Sequence, residues 1–372
     1  MMKRMIDFSG LKTHKKETEK MDSKVFRLND NSTYSSVQCI ASEIGTTNEG
    51  KSYDVLTDEK KDLNERCNFV QALIEEAGKS EHINNNHDCL KVFMLPEFFF
   101  RGPKGGYSLE SSQEIVNNLR KMVNSPEYKD WLFVFGTTVA YSKNLEKSDE
   151  SLYEAYNYSF VQMGNGKEKD SLIVMKEHKS PVDFISQPNE FPDKTLHHHN
   201  TSYMEKVSKG CNRRNEEKQI NYDGNSIFEV GGLRVGLDIC LDNSRRRLDN
   251  TISDKPLDAH LVTSGGLIGT SRILKWKKDG ILFHCDGLSP QIGSLSSVSF
   301  NKREKSIYKR FKPSYSKVFI KSPKTNEPVG NFTGNLKVLL NVYPSYKLPY
   351  KVINKEGKMN VEKEKRGLDL SI

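Results

Sequence analysis

The sequence predicts a layered α/β domain with mixed strand directions, and two patterns support this prediction. Short apolar runs typical of buried strands alternate with longer stretches in which apolar residues recur at helical spacing. A Gly-Asn-Gly turn between two apolar runs indicates one antiparallel hairpin among strands that are otherwise connected through helices. In such an architecture, functional side chains lie on loops at strand ends.

The individual elements follow from these patterns. One helix is predicted from the helical spacing of apolar residues between Leu63 and Ile74, with Gly78 as its stop. A second helix is predicted after Ser111, which forms a capping-box pattern with Glu114. Strands are expected at Ser36 to Ala41, Lys91 to Leu95, Trp131 to Phe135, Tyr156 to Met163, Leu172 to Met175, Leu233 to Ile239, Ala259 to Thr263 and Ile281 to His284.

Length and composition indicate one large globular domain with appendages. The chain has 372 residues, of which 35% are hydrophobic and 28% charged, which argues against fibrous, disordered and membrane classes. No apolar run approaches the ~20 residues of a membrane span, and the first residues lack the apolar core of a signal peptide. We expect a polar tail at 1–32, the domain at 33–345 with an exposed insertion at 193–219, and a basic tail at 346–372.

Charge and cysteine content limit the expected partners and compartment. The net charge is +8, but the basic residues are scattered and no nucleic-acid-binding motif accompanies them, so they are interpreted as solvated surface rather than a nucleic-acid site. The six cysteines are widely spaced and form no Cys-x-x-Cys pair, which is typical of reduced thiols in a cytoplasmic protein. Export through a dedicated machine would leave no signal in these patterns.

Reactive side chains directly follow three of the predicted strands. Glu97 follows a strand that ends in Leu-Pro, Lys176 follows the second strand of the hairpin, and Cys240 follows the alternating strand. Each residue alone has a non-catalytic interpretation: a strand terminus, a solvated lysine and an inert core thiol. Their occurrence at three strand ends is what makes them candidates.

Taken together and in this order, the segments around these residues resemble the nitrilase superfamily. VFMLPEFFFRG (92–102) resembles its glutamate motif, and IVMKEHKSP (173–181) its Lys-x-His motif. GLRVGLDICLDNSRR (232–246) resembles its nucleophile motif, the most specific of the four. LDAHLVTSGG (257–266) is similar to the strand that follows the nucleophile, except that His260 stands where the family has an aspartate.

This resemblance covers roughly Ser36 to Phe300 and implies a fold and an activity. The implied fold is a four-layer α-β-β-α sandwich with mixed sheets, and the implied assembly is a homodimer that packs sandwich on sandwich. The implied activity is hydrolysis of a non-peptide carbon-nitrogen bond through a glutamate, a lysine and a cysteine. Such chemistry requires no metal and no organic cofactor.

The chemistry of the three residue types agrees with this activity. A free thiol has a pKa of ~8.5, so Cys240 needs a base such as Glu97 and a nearby cation such as Lys176 to favour the thiolate. Attack on an amide or nitrile carbon builds negative charge, which Lys176 and the backbone N–H of Leu241 could stabilise. Glu97 could then give the proton taken from the thiol to the leaving amine and, as a carboxylate again, activate water for thioester hydrolysis.

Some positions stay open. Lys179 competes with Lys176, although the Lys-x-His spacing and the adjacent apolar strand favour Lys176. The family often has a second glutamate after the lysine, and here Glu190 is preferred over Asp183 on residue type alone.

Other polar residues have non-catalytic interpretations. Asp242 and Arg246 match motif positions that support the nucleophile, as a buried ion pair or a helix cap. The run from His197 to His199 is not expected to bind a metal, because adjacent side chains on a polar insertion do not converge. Cys285 and His284 are not expected to pair, since neighbours on a strand point to opposite faces.

The substrate stays open at this level. A small-molecule amide, a nitrile, a carbamoyl compound or an acyl-transfer reaction would use the same three residues, and we expect an amide on chemical breadth. The alternative is a catalytically silent module that binds a protein partner through its insertions. The presence of all three catalytic residue types counts against that alternative.

Overall fold

The computed structural model describes residues 25–28, 32–46, 58–103, 105–143, 153–178, 226–251, 255–267, 276–288, 294–300, 306–321, 335–349, 351–353 and 359–361. The helices are α1 (Glu59–Lys79), α2 (Leu109–Met122), α3 (Leu241–Ser244) and α4 (Arg247–Thr251), with 3-10 turns at Pro126–Tyr128 and Glu168–Asp170. The strands are β1 (Phe26–Leu28), β2 (Ser36–Glu43), β3 (Cys89–Met94), β4 (Tyr107–Ser108), β5 (Trp131–Val134), β6 (Thr138–Lys143), β7 (Tyr153–Met163), β8 (Ser171–Met175), β9 (Ile227–Val230), β10 (Leu233–Ile239), β11 (Leu257–Ser264), β12 (Trp276–Asp286), β13 (Ser294–Phe300), β14 (Ser306–Phe311), β15 (Ser314–Lys321), β16 (Asn335–Val342), β17 (Tyr346–Lys347), β18 (Lys351–Ile353) and β19 (Met359–Val361).

Two large sheets organise the described chain, and both are mixed. The seven-stranded sheet has the order β1-β9-β10-β11-β12-β13-β14, with β10, β11 and β12 parallel. The ten-stranded sheet has the order β15-β16-β2-β3-β5-β7-β6-β4, with β17 on β2 and β8 on β7. Its strands β2, β3 and β5 are parallel, and β7 and β8 form the predicted antiparallel hairpin.

The two sheets pack face to face, and helices cover their outer faces. Alternate residues of β3, such as Val92 and Met94, share a buried core with Leu237 of β10 and Leu261 of β11. The outer face of the ten-stranded sheet packs against α1 and α2, whose Leu63, Val70 and Leu119 join Phe93 and Phe133. On the outer face of the seven-stranded sheet, Leu248 of α4 packs with Val262 and Leu282. This order of layers confirms the α-β-β-α sandwich.

Both long helices begin at a capping side chain. Asp58 accepts a hydrogen bond from the backbone N–H of Lys61 at 2.7 Å and caps α1. The cap of α2 differs from the prediction: Ser108, not Ser111, is the N-cap, and its hydroxyl accepts from the N–H of Ser111 at 3.2 Å. The helix therefore begins one turn earlier than the capping-box pattern predicted.

The chain ends contribute to the sheets more than the sequence indicated. β1 lies inside the range predicted as a polar tail, yet it pairs in parallel with β9. β17 opens the range predicted as a basic tail, and Tyr346 pairs with Val37 of β2. These pairings join segments far apart in sequence, which local periodicity does not reveal. The predicted insertion at 193–219 lies outside the described residues.

The carboxyl ends of the parallel strands meet at one edge of the sandwich. The Thr263 hydroxyl on β11 donates to the carbonyl of Leu95 just after β3, at 3.0 Å, and thus joins the two sheets. The N–H of Cys240, just after β10, donates to the carbonyl of Thr263 at 2.8 Å. This edge therefore holds two of the three predicted reactive segments. Within the described residues, no helix is long and apolar enough to cross a membrane.

Candidate active site

Backbone hydrogen bonds bring the three predicted strand ends together. Cys240 bonds to Thr263, and the next carbonyl along β11, that of Ser264, accepts from the N–H of Glu97 at 3.2 Å. From the other side, the carboxylate of Asp242 accepts from the N–H of Glu177, directly after Lys176, at 3.1 Å. The segments after β3, β8 and β10 are thus held in one place.

A fully buried ion pair lies at this junction. Lys176 Nζ is 2.9 Å from Glu97 Oε1, and both side chains are 0% exposed. Asn157 of β7 contacts both partners. Its side-chain Nδ2 donates to Glu97 Oε1 at 3.0 Å, and its backbone carbonyl accepts from the backbone N–H of Lys176 at 2.9 Å. Two donors, Lys176 Nζ and Asn157 Nδ2, therefore fix the position of one carboxylate oxygen of Glu97.

Asn157 was not predicted from the sequence. It lies on the row of β7 that continues through Val161 and Met163, and those residues belong to the core between the sheets. A buried amide on a core-facing row is the signal that could have identified it, because buried polar groups need a hydrogen-bonded partner. To recognise Asn157 as buried, one has to know which face of the sheet it lies on. That depends on the register of β7, which the sequence does not show.

The loop that carries Glu97 is held through its backbone. The Thr46 hydroxyl donates to the Glu97 carbonyl, and the N–H of Phe98 donates to Thr137 Oγ1 at 2.9 Å. Gly136, at φ +59°, lies so close that a Cβ there would be 2.1 Å from the carbonyl oxygen of Pro96. The position of the carboxylate is thus set by neighbouring loops and not by the side chain alone.

Phe98 lines the ion pair with an aromatic face. Its ring centroid is 5.8 Å from Lys176 Nζ and 4.3 Å from the guanidinium carbon of Arg101. Phe98 is 1% exposed and has a positive φ of 64°. An apolar wall of this kind lowers the local dielectric, which strengthens the interaction between Lys176 and any charge that forms beside it. Phe99 and Phe100 instead pack in the core under the helices.

Cys240 has a strained backbone that redirects its side chain. Its φ and ψ are 47° and −106°, a region that non-glycine residues rarely adopt and that costs about 1–3 kcal/mol. Strand alternation would place Cys240 on the outer face of the sheet, opposite to Leu237 and Ile239. Instead, Cys240 belongs with them to the core between the sheets and is 9% exposed. The left-handed turn therefore directs the thiol toward the layer that contains Glu97 and Lys176.

Asp242 joins the nucleophile turn to the lysine segment. It accepts from the N–H of His178 at 2.7 Å and lies 2.8 Å from His178 Nδ1. The arginine that supports it differs from the prediction. Arg247 is buried and lies 3.6 Å from Asp242, whereas Arg246 is exposed and pairs with Asp249. The reason is geometric, since α4 begins at Arg247 and packs this residue inward.

Two neighbouring carboxyl groups in this cluster have pKa values that shift in opposite directions. Burial raises the pKa of Glu177 to about 7, and the charge of Arg247 offsets only part of that effect. Burial also raises the pKa of Asp242, but the hydrogen bond from His178 and the charge of Arg247 outweigh it, so that pKa lies below its ordinary value. Asp242 is therefore the permanent anion of the cluster, and Glu177 titrates near neutral pH.

Replacing Glu177 with glutamine is expected to change how stability depends on pH. In the folded wild type, Glu177 retains its proton as the pH rises toward about 7, whereas in the unfolded chain Glu177 loses it above the ordinary pKa of a glutamate. The free energy of unfolding therefore falls as the pH rises toward about 7. A glutamine side chain does not titrate, so the variant should gain roughly 2–3 kcal/mol relative to wild type between pH 5 and pH 8. Urea unfolding at these pH values measures the difference. Exposed Glu168→Gln is the control, and parallel pH curves for wild type and Glu177→Gln would contradict the prediction.

The remaining predicted site residues have the following places. Leu241 is the first residue of α3, where the backbone N–H has no acceptor within the helix. Lys179, Asp183, Glu190 and the run from His197 to His199 lie outside the described residues. Lys176, the preferred one of the two lysines considered, lies within the described residues and contacts Glu97. The catalytic roles of Glu97, Lys176 and Cys240 stay predictions.

Comparisons with known proteins gave matches among solved structures. No protein-family model matches the chain, and no curated protein does either. An amidase from Nesterenkonia sp. aligns with 84% of this chain and 93% of its own, at 9% identity and a TM-score of 0.40. Another structure of the Nesterenkonia amidase is described as a member of the nitrilase superfamily.

Two further solved structures are similar. A carbon-nitrogen hydrolase from Helicobacter pylori G27 aligns with 74% of this chain and 89% of its own, at 11% identity and a TM-score of 0.35. A glutamine-dependent NAD+ synthetase from Acinetobacter baumannii aligns with 74% of this chain and 43% of its own, at 13% identity and a TM-score of 0.37.

Proposed function

We propose that this chain is a divergent carbon-nitrogen hydrolase of the nitrilase type. In this proposal Cys240 is the nucleophile, Glu97 the general base and acid, and Lys176 the cation that stabilises the oxyanion. The observation that supports it most is the fully buried Glu97–Lys176 pair, joined by backbone bonds to the turn that carries Cys240. Burying two charges is costly, and a well-packed apolar pair would often be at least as stable, so a catalytic use explains why they are present.

The reaction begins when Glu97 takes the thiol proton and Cys240 sulfur attacks the carbonyl carbon of an amide. The carbonyl π electrons move to oxygen, and Lys176 Nζ and the N–H of Leu241 stabilise the resulting oxyanion. When the oxyanion collapses, the carbon-nitrogen bond breaks and Glu97 gives its proton to the leaving ammonia or amine. A thioester on Cys240 is left, and Glu97 is again a carboxylate.

Water then completes the cycle. Glu97 takes a proton from water as its oxygen attacks the thioester carbon, and a second oxyanion forms at the same place. Collapse breaks the carbon-sulfur bond, releases a carboxylic acid and returns the proton to the sulfur. If an amine or alcohol replaced water in this step, the same residues would carry out acyl transfer.

We further propose a small-molecule substrate and a homodimer in the cytoplasm. Cys240 is 9% exposed and Glu97 and Lys176 are 0% exposed, so a compact group has to enter the site while a macromolecule cannot reach it without rearrangement. Primary amides are the first expectation, and nitriles and carbamoyl compounds are the next.

A substrate screen with a mass measurement tests the proposal. Amides, nitriles and N-carbamoyl compounds are offered to wild type and Cys240→Ala, ammonia release is followed, and acid-quenched protein is weighed for an acyl adduct on Cys240. We expect release and an adduct in the wild type only. Cys285→Ala removes a thiol that is 1% exposed one strand beyond the site, and it should retain activity. Wild type that releases no ammonia and forms no adduct with any class would refute the proposal and favour the catalytically silent module.

A further inference from the structure

A second buried pair lies behind the nucleophile, on the outer face of the seven-stranded sheet. Asp238 of β10 and His260 of β11 alternate with residues that face the core between the sheets, so both point outward. His260 Nε2 lies 2.9 Å from Asp238 Oδ2, and both side chains are 0% exposed. Since a carboxylate oxygen only accepts, Nε2 is the donor. His260 is the residue that stands where the motif resemblance leads to an aspartate.

A short chain of bonds leads from this pair to Cys240. The side chain of Asn243 in α3 donates to the same Asp238 oxygen at 3.3 Å, and Asn243 is itself 0% exposed. The backbone N–H of Asn243 donates to the carbonyl of Cys240 at 3.0 Å. Asp238 thus holds the residue that closes the turn after the nucleophile.

The Cys240 turn needs such support. A non-glycine residue at positive φ persists only where its surroundings prevent relaxation. On the inner side, the bond from Cys240 to Thr263 and the bonds to Asp242 restrain it. On the outer side, the hydrogen bond from Asn243 to Asp238 joins the turn to β10.

We propose that the Asp238–His260 pair is a positioning device that holds Asn243, and through it the left-handed conformation of Cys240, for the reaction proposed above. His260 orients the carboxylate, the carboxylate orients the Asn243 amide, and Asn243 fixes the Cys240 carbonyl. The inference rests on the proposed function for its catalytic meaning, although the thiol's geometry can be tested without any substrate. It assigns a role to two residues that the mechanism itself does not use.

The surroundings of the pair agree with this role. Among the described residues, the second oxygen of Asp238, Oδ1, has no hydrogen-bond partner, so the carboxylate is incompletely satisfied. A pair required only for packing could be apolar, like Val262 and Leu282 on the same face. His284 on β12 interacts electrostatically with His260, and burial lowers the pKa of His284 to about 4. It lies 2.6 Å from Ser264, whose hydroxyl donates to Asp286.

Variants at His260 test the proposal. His260→Leu removes the donor, whereas His260→Gln can place an N–H near the position of Nε2. For His260→Leu we expect kcat to fall roughly 10- to 100-fold with KM within about two-fold of wild type, since a small misplacement of a reacting group costs that much. Alkylation of Cys240 by iodoacetamide, measured site by site by mass spectrometry, should slow in parallel. His260→Gln should recover most of both rates.

Two more variants keep the test decisive. Asn243→Ala removes the link but leaves the pair intact, and it should reproduce the loss in kcat and in alkylation if His260→Leu does not fold. Asp258→Asn is the matched control: Asp258 is also 0% exposed, but it holds the N–H of Arg234 and Lys277 Nζ at the other end of β11. It should lower the melting temperature without changing kcat per folded molecule.

The outcomes separate this inference from the proposed function. If folded His260→Leu and Asn243→Ala both keep wild-type kcat and alkylation rates, or if Asp258→Asn loses as much of both, the positioning role is overturned. If wild type turns over none of the compounds while both variants still slow the alkylation of Cys240, the positioning role stands and the proposed reaction fails.

Discussion

Replacing Lys176 with methionine is expected to destabilise the fold by about 3–5 kcal/mol and to reduce turnover by roughly 10²- to 10³-fold. Methionine fills a similar volume but leaves the Glu97 carboxylate buried at 0% exposure without its cation, while Asn157 Nδ2 still donates to Oε1. An uncompensated buried charge costs more than the ion pair contributes, and the oxyanion loses its cation. Urea unfolding and kcat, measured on the same preparation, give the two effects.

The double variant Glu97→Gln, Lys176→Met separates the two causes. Removing both charges should recover the free energy of unfolding to within about 1 kcal/mol of wild type, because no unpaired charge remains in the core. Activity should stay lost. Lys129→Met, which changes an exposed lysine, is the control and should alter neither quantity. A single Lys176→Met variant that is as stable as wild type would show that the buried pair does not exist in solution.

The three candidate residues could be predicted from the sequence because each follows a strand with a clear local pattern. The alternation from Leu233 to Ile239 and the apolar run before Pro96 indicate where these two strands end, although the strands belong to different sheets. Their mutual contact could not be predicted this way. The Glu97–Lys176 pair joins the segments that follow β3 and β8. The strand β8 reaches the site only because β7 pairs with both β5 and β8.

The supporting residues needed the three-dimensional register. Asn157 is one of several polar residues in an eleven-residue strand. Only its pairing with Val139 and its hydrogen bond to Lys176 identify it as part of the site. Arg247 could not be distinguished from Arg246, because which of two adjacent arginines is buried depends on where α4 begins. The strand β14 was not predicted, since Lys309 and Arg310 interrupt its apolar residues, as is common in edge strands.

Replacing Glu97 with glutamine is expected to lower kcat by roughly 10²- to 10⁴-fold per folded molecule, and it should also destabilise the fold, because the buried Lys176 charge loses its counter-ion. The amide oxygen of glutamine can still accept from Lys176 Nζ and Asn157 Nδ2, so the hydrogen bonds that fix this side chain are retained. What is lost is the capacity to take a proton from the thiol and later from water. Single-turnover measurements should therefore show slow formation of the acyl adduct and slow hydrolysis of any adduct that forms.

Glu177→Gln is the comparison that distinguishes proton transfer by Glu97 from a general effect of a lost carboxyl group. Glu177 is a second buried glutamate, directly after Lys176 in the chain, but it bonds to Arg247 and not to Lys176. Both variants remove one carboxyl group from the same region, so a general effect of lost charge would lower kcat equally in the two. We expect Glu177→Gln to retain kcat within about ten-fold of wild type at pH 7, because Glu97 still supplies the base. Equal losses would mean that Glu97 acts through the local charge and does not transfer the proton.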